Sequence, residues 1–383
     1  MNSDSKNYHK HTILQVVPSL VAGGVERGAI EIAKAIIADD SEAIIASSGG
    51  PLVSNVIDIG AHHINMGVDT KNPLWMLLNI YKLSNMIKEY DIDLIHARSR
   101  APAWSAYFAA RRNDKAFVTT FHGIYNFFES CKRQYNSIMT KGDRVIAVSN
   151  FVKDHILDNY DINEDKIRVI HRGVDTKYFN PKKLVESEMD NMREKYHIPK
   201  SAPVILLPAR MTRWKGQECL VKALNIARDK DFYCIIAGDL GKHPNFTEQV
   251  KSMIQSLKLQ SKIQTFGPET DMKTLYGIAD IVLSTSIEPE AFGRVVIEAQ
   301  AMEKIVIASN IGGAAETILD LETGYHVAPN DPVELAEKIG FVLDNLGSTS
   351  LDKIRKKARK SATKNFCVET MQQKTLDVYG ELI

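Results

Sequence analysis

Short runs of β-branched and aliphatic residues recur along the chain, separated by stretches in which apolar residues return every three or four positions. In the first half the runs are Thr12–Val17, Ala43–Ala46, Leu94–Ala97, Phe117–Thr120, Val145–Val148 and Ile167–Ile170. They are apolar nearly throughout rather than alternating, which is the pattern of strands covered on both faces. The intervening stretches have helical periodicity. Glu26–Ile37 sets Ala29, Ala33, Ile36 and Ile37 on one face, and Leu74–Glu89 is a second amphipathic helix. Strand and helix in alternation predict a parallel, doubly wound sheet.

The alternation pauses between Asn180 and Lys200, a charged stretch with Pro181 and Pro199 that reads as a connector containing a helix. It then restarts. Val204–Pro208, Tyr233–Ala237, Ile263–Phe266, Ile281–Leu283, Ile305–Ala308 and Tyr325–Val327 are strands, and Gln217–Arg228 is a helix with Leu220, Ala223, Leu224 and Ala227 inward. Two terminal helices follow, Leu351–Lys364 and Val368–Leu382. A chain of 383 residues is too long for one ordinary core, so the expected fold is α/β with two doubly wound domains. Ligands of such sheets bind beyond the carboxyl ends of the strands, where strand order reverses, so a cleft lined by those loops is expected.

Composition narrows the function class. A formal net charge of +1 supplies no field to hold nucleic acid. No apolar run is long enough to span a bilayer, and the polar stretch from Met1 to His11 lacks the core of a signal peptide, so a cytoplasmic protein is expected. Cys131, Cys219, Cys234 and Cys367 stand far apart, which argues against a disulfide framework and against a zinc site.

Four loops carry residue types suited to an anion or a polyol. After the first strand comes Pro18-Ser19-Leu20-Val21-Ala22-Gly23-Gly24-Val25-Glu26-Arg27. Gly23 and Gly24 there place backbone N–H groups and the positive end of a helix at a strand terminus. The spelling is neither G-x-G-x-x-G nor a lysine-bearing P-loop, which weakens a nicotinamide or ATP reading; a plain glycine turn is the alternative. After the first strand of the second half comes Arg210-Met211-Thr212-Arg213-Trp214-Lys215-Gly216. A guanidinium and an ammonium at one strand end suit a diphosphate, against the alternative of two surface cations; Arg213 reads as solvated. The third loop is E-P-E-A-F-G-R-V-V-I-E-A, from Glu288 to Ala299. Glu290 on the loop can accept from ligand hydroxyls, and Gly293, next to Phe292, lets a ligand approach the backbone. Glu298, one turn into the helix and leaning back along it, suits the vicinal hydroxyls of a ribose. A loop acid and an intrahelical ion pair are the alternatives for the two glutamates. Lastly, His122 in Thr119-Thr120-Phe121-His122-Gly123-Ile124-Tyr125 ends a strand, where it can donate to a phosphate or a sugar hydroxyl or serve the fold alone. Taken together the loops describe a nucleoside diphosphate attached to a sugar.

In these residues the sequence resembles the retaining, GT-B-fold glycosyltransferases of family four. The E-x7-E spelling with its internal F-G (Glu290, Phe292, Gly293, Glu298) carries the resemblance. Arg210 with Lys215-Gly216, the G-G-x-E loop from Gly23 to Glu26, and His122-Gly123 support it. Ser309-Asn310-Ile311-Gly312-Gly313-Ala314-Ala315-Glu316 looks like the family's glycine loop after the following strand. Order and gaps fit across roughly residues 12 to 330, and the wording looks most like bacterial envelope enzymes that build lipopolysaccharide.

The resemblance implies a GT-B fold, two Rossmann-like domains facing across a cleft. Residues 1–180 would form the acceptor domain, rejoined by the terminal helix at about 365–383, and 181–364 the donor domain. It implies transfer of a hexose from a nucleoside-diphosphate sugar to a lipopolysaccharide core, another glycolipid or an oligosaccharide, with retention at the anomeric carbon and with no metal or other cofactor. Arg210 and Lys215 would stabilise the departing phosphate, aided by N–H groups near Gly24 and Gly293. Glu290 would hold sugar hydroxyls, Glu298 the ribose, and His122 would orient sugar or phosphate. Trp214 departs from the family, where many relatives carry an acid before the lysine. Asp91-Ile92-Asp93 has the spelling of metal-dependent glycosyltransferases but opens a strand, and reads as a strand-edge feature.

The acceptor has two sequence hints. Arg98, Arg100, Arg111 and Arg112 can favour an anionic acceptor, and the basic stretch Lys353 to Lys360 is either a solvated helix or a contact with an anionic membrane surface. Two rival functions keep the same fold: an epimerase acting on a UDP-sugar, and a protein that binds sugar nucleotide without turnover.

Overall fold

A computed structural model of the chain describes residues 10–21, 23–125 and 130–383, the side chains of Ser130 and Cys131 excepted. The Cys131 thiol and Ala22 of the glycine loop therefore lie outside the described residues. The chain divides into two compact units, Met1–His171 with Glu369–Ile383, and Arg172–Val368.

In the first unit the strands are β1 (Thr12–Val16), β2 (Glu42–Ser47), β3 (His62–Asn65), β4 (Leu94–Ala97), β5 (Ala116–Phe121), β6 (Arg144–Ala147) and β7 (Ile167–Val169). Its helices are α1 (Gly24–Ala38), α2 (Val53–Asp58), α3 (Pro73–Glu89), α4 (Arg100–Arg112), α5 (Ser130–Asn136) and α6 (Asn150–Asn159). The second unit has α7 (Glu186–Lys195), β8 (Val204–Pro208), α8 (Gln217–Ile226), β9 (Tyr233–Ala237), α9 (Pro244–Ser256), β10 (Ile263–Phe266), α10 (Met272–Ile278) and β11 (Ile281–Ser284). It continues with α11 (Arg294–Ala301), β12 (Ile305–Ser309), α12 (Gly312–Ala315), β13 (Tyr325–Val327), α13 (Pro332–Asp344) and α14 (Thr349–Asn365). The last helix, α15 (Val368–Gly380), returns to the first unit.

Both sheets are parallel throughout, with order β3-β2-β1-β4-β5-β6-β7 in one unit and β10-β9-β8-β11-β12-β13 in the other. Strand order reverses between β1 and β4, and again between β8 and β11. Loops after those strands are where such a sheet presents a ligand site. Burial follows the sequence pattern: β1, β4, β9, β11 and β12 are buried at every position. Strand β3 has no counterpart in the apolar runs. It reads His62-His63-Ile64-Asn65, pairs only with β2, and sits half-exposed at the sheet edge, where polar residues are tolerated.

The unit boundaries differ from residues 180/181 and 364/365 because the two crossing segments bind each other. Val174 N donates to Phe366 O at 2.8 Å and Val368 N to Val174 O at 3.1 Å, which ties both segments into the second unit. Beyond that point α15 docks on the first unit. Gln372 Nε2 donates to Glu31 O at 2.6 Å, Tyr379 Oη meets His96 Nδ1 at 2.7 Å, and Glu381 pairs with Arg144 and Arg168.

Candidate functional site

In the second unit the loops after β8 and β11 leave neighbouring strands at the order reversal. They are stitched together by their backbones. Ile287 N donates to Trp214 O at 2.8 Å, and Thr285 Oγ1 donates to Lys215 O at 3.0 Å. Gly216 takes φ +74°, and a Cβ there would lie 1.9 Å from Thr285 O. Any side chain at 216 would force the loops apart, so this glycine is fixed by sterics as well as by its dihedral. On the other side, Met211 N donates to Asp239 O at 3.1 Å, and Gln217 Nε2 donates to Arg210 O at 2.8 Å. The peptide carrying Arg210 is thus held from both ends while its side chain remains exposed.

Lys215 and Glu290 meet here, Nζ to Oε1 at 2.6 Å, with side chains only 14% and 15% exposed. Lys215 Nζ also lies 4.3 Å from the centre of the Trp214 ring, and Ser286 Oγ donates to the same Glu290 oxygen. Burial lowers the Lys215 pKa, Glu290 pushes it back up, and the nearby Arg210 charge lowers it again. The result is a cation short of solvent, beside a second cation, balanced by one carboxylate. The Glu290 backbone is fixed as well: Gly313 N donates to Glu290 O at 2.7 Å, which joins the glycine loop after β12 to the same constellation.

Around the start of α11 the sequence assignments separate. Gly293 is the N-cap, with φ +77°, and a Cβ would lie 2.6 Å from the Cβ of Ala314. Its need for glycine is therefore accounted for by the fold. Phe292 is buried, its ring centre 6.1 Å from that of Phe366, so only its backbone remains to face a ligand. No side chain caps α11, which leaves a positive helix end at this loop. Glu298 lies one turn in. Its Oε2 accepts from Tyr276 Oη at 2.9 Å, and its Oε1 is 3.3 Å from Arg294, the intrahelical ion pair considered above. Burial raises the Tyr276 pKa well above 10.0, and the adjacent carboxylate raises it further, so Tyr276 is a fixed donor. The structure thus brings Lys215 and Glu290 into contact with Arg210 close by, and gives Glu298 its own partners.

Gly23, Gly24 and His122 belong to the first unit. Gly23 is the N-cap of the long helix α1, extended at φ −174°, with no side-chain cap. Earlier in the same loop, Leu20 N donates to Gly49 O at 2.8 Å, in the loop after β2. His122 follows the last residue of β5 and is half-buried. The four arginines here have different surroundings. Arg98 is buried and donates to Gln15 Oε1 at 3.1 Å, and Arg100 donates to Asn136 Oδ1 at 2.9 Å and stacks 4.3 Å over the Tyr125 ring. Arg111 binds Asp143 at 2.7 Å, and Arg112 is exposed. Asp93 accepts from Thr12 N at 3.0 Å, so this acid of the D-x-D spelling ties together the amino ends of the neighbouring central strands β1 and β4.

The basic stretch lies on α14. Leu351, Ile354, Ala358 and Ala362 face the core. Arg355 binds Asp352 at 3.0 Å, Lys357 binds Glu322 at 3.2 Å, and Arg359 donates to Phe179 O at 3.2 Å. Half of its charge is therefore committed within the unit. Sequence reasoning missed Ser286, Tyr276 and the stacking role of Trp214. A serine four residues before Glu290 and a tryptophan next to Lys215 were readable signals; Tyr276 depends on Glu298, 22 residues away.

The model for glycosyl transferases group 1 matches residues 188–363, and that for glycosyltransferase family 4 matches residues 22–178. A glycosyltransferase from Rickettsia africae ESF-5, known by its crystal structure, is 51% identical and superposes with a TM-score of 0.92, covering 98% of this chain and 99% of its own. Anabaena HepE, crystallised in complex with UDP and glucose, shares the fold at 22% identity and a TM-score of 0.83, over 97% of this chain and all of its own. The D-inositol 3-phosphate glycosyltransferase of Salinispora tropica is 25% identical over 256 residues; the match takes in 64% of this chain and about half of that protein, 52%. Family models that lie over both units, and a relative identical at half its positions along nearly the whole length, place the chain among the group 1, family 4 glycosyltransferases, with the GT-B fold.

Proposed function

We infer that this chain moves a hexose such as mannose or glucose from a nucleoside-diphosphate sugar to a hydroxyl of a lipopolysaccharide core or another glycolipid, on the cytoplasmic side of a membrane. The anomeric configuration is retained and no metal takes part. One observation carries the reading: the Lys215–Glu290 pair, with Arg210 beside it, at the reversal between β8 and β11. A diphosphate bears more negative charge than one carboxylate and competes with Glu290 for the Lys215 ammonium. Glu290, released, turns to the hydroxyls of the sugar.

As the bond to the leaving phosphate lengthens, positive charge grows on the sugar and negative charge on the phosphate. Arg210, Lys215 and the N–H groups at the start of α11 stabilise the latter; such preorganised donors are worth about 3–4 kcal/mol each. The acceptor attacks from the leaving-group side, and the phosphate takes its proton. Glu298, held by Tyr276, binds the ribose, and His122 with the Gly23-Gly24 helix end orients the sugar or phosphate. The fold relative solved with UDP and glucose supports a nucleoside diphosphate as donor. The lipopolysaccharide acceptor rests on the wording around Glu290 alone.

Thermal-shift screening against UDP-, GDP- and ADP-sugars is the first test, followed by product analysis of the best hit with a lipid-linked acceptor in the presence of chelator. Stabilisation by one nucleotide sugar and chelator-resistant transfer with retention are expected. Failure of every nucleotide sugar to bind, or binding undisturbed by Lys215→Ala, would remove the diphosphate site.

A further inference from the structure

The first two turns of α3 point large apolar side chains into solvent. Leu74, Trp75, Leu77, Leu78 and Tyr81 are between 49% and 72% exposed. They are not loosely placed. Asn72 caps the helix, its side chain accepting from Leu74 N at 3.0 Å, and Pro73 occupies the first turn. The opposite face, with Asn79, Leu83, Met86 and Ile87, is buried in the unit, and Ser105 Oγ of α4 donates to Met76 O at 3.1 Å. The exposed residues are therefore held outward by a firmly docked helix. Contiguous apolar surface of this kind marks an interaction site.

Charge selects the occupant. From Leu74 to Tyr81 the helix carries no charge, and three exposed lysines, Lys71, Lys82 and Lys88, flank that face, with two exposed acids, Asp69 and Glu89, at the outer ends. Two copies meeting through this face would bring like charges together across a two-fold axis. An anionic bilayer meets both needs: its headgroups take the lysines, Trp75 and Tyr81 fit the polar–apolar boundary, and the leucines enter the acyl region. Helix α14, the other basic helix, turns Leu351 and Ile354 inward and offers charge without an apolar anchor. The position also fits. In a parallel sheet every helix after a strand begins at the carboxyl edge, so the first turns of α3 share an edge of the first unit with Gly24 and His122.

We propose that the exposed face of α3, from Leu74 to Tyr81 with its flanking lysines, docks this chain on an anionic lipid surface. Its purpose rests on the lipid-linked acceptor of the proposed function, but its measurement needs no turnover, so either can fail without the other. The test is co-sedimentation of the full chain with vesicles of phosphatidylcholine alone or mixed equally with phosphatidylglycerol. Binding to the mixed vesicles, a blue shift of Trp75 emission, and a loss of at least about tenfold in Trp75→Ser/Leu78→Ser are expected, since each large side chain withdrawn from lipid removes more than a tenfold factor. Lys71→Gln/Lys82→Gln should weaken binding less, and Trp75→Phe should keep it. The unfolding midpoint, which an exposed face should not control, checks that the variants fold. Equal binding of wild type and double serine variant, no binding to mixed vesicles, or a wild-type dimer that the double variant dissociates would each overturn the proposal.

Discussion

Lys215 and Arg98 are both cations withdrawn from water at the order reversal of a parallel sheet, and the two units hold them in opposite ways. Arg98 is buried among regular elements. It donates to Gln15 of β1, whose own amide donates to Ala29 O of α1 at 2.9 Å. Beside it His96 bridges Thr120 and Tyr379, at 2.7 Å on each side. Burial lowers the Arg98 pKa, and the nearby Tyr379 and Glu31 offset part of that. Lys215 ends a short 3-10 turn in the connection after β8, and its partner Glu290 is on the loop after β11. A carboxylate on a loop can be displaced by a more highly charged anion, whereas an amide on a strand cannot withdraw. The first arrangement staples α15 to its unit, and the second is where the proposed function puts a ligand.

The largest expected effect tests the loop pair. Lys215→Ala should cut transfer by roughly 10²–10³-fold, the scale of losing one charge-stabilising donor, with the unfolding midpoint nearly kept. Steady-state turnover on the best donor decides this, and near-normal rates would erase the contrast with Arg98. Arg98→Leu should do the reverse. It strands the Gln15 oxygen and leaves an imperfectly filled site, at about 2–4 kcal/mol by urea unfolding. Nucleotide binding measured calorimetrically below the transition should change little, and a loss of binding without a loss of stability would make Arg98 a ligand residue.

A third pair sharpens the distinction between charge held by the fold and charge held for a ligand. Glu269 is 2.6 Å from Lys195 and accepts from Tyr196 Oη at 2.9 Å and from two backbone N–H groups. Burial raises its pKa, but these donors together outweigh that and hold it at about 2. A depressed carboxylate stabilises the fold above its unfolded value near 4.5, and the contribution is lost as pH falls towards 2. Glu269→Gln should cost about 1–3 kcal/mol at neutral pH and flatten stability across that acid window, with no change in turnover.

The smallest effect belongs to the staple's far end. Tyr379→Phe removes one buried bond to His96, at about 1–2 kcal/mol. Burial, and secondarily Arg98, lowers the His96 pKa well below 6.5. A histidine kept neutral in the fold takes a proton only on unfolding, so stability should fall as pH drops below 6.5, by at most about 1.4 kcal/mol per pH unit. His96→Gln should remove that slope. A slope that survives would move the proton uptake elsewhere.

How far the sequence reached depended on whether a feature is local. Val204–Pro208, Tyr233–Ala237 and Ile263–Phe266 are strands with those bounds because a continuous apolar run is its own signal. His62–Asn65 escaped because an edge strand need not be apolar. Charge was the harder case. Four arginines near the first unit's loops looked alike in the sequence, yet Arg98 is buried, Arg100 is half-buried, and Arg111 and Arg112 are exposed, Arg111 while holding Asp143.

Alone, the sequence determined the alternation of strand and helix, the restart after Lys200, and the placing of glycines, cations and acids at strand ends, since each follows from periodicity or from the residue beside it. Only the tertiary structure decided that β8 lies next to β11, and therefore that Lys215 meets Glu290, that Tyr276 holds Glu298, and that the outer face of α3 goes uncovered. Those depend on which crossovers pack against which strands, and so on free energy summed over segments far apart in the chain, a quantity no local stretch of residues contains.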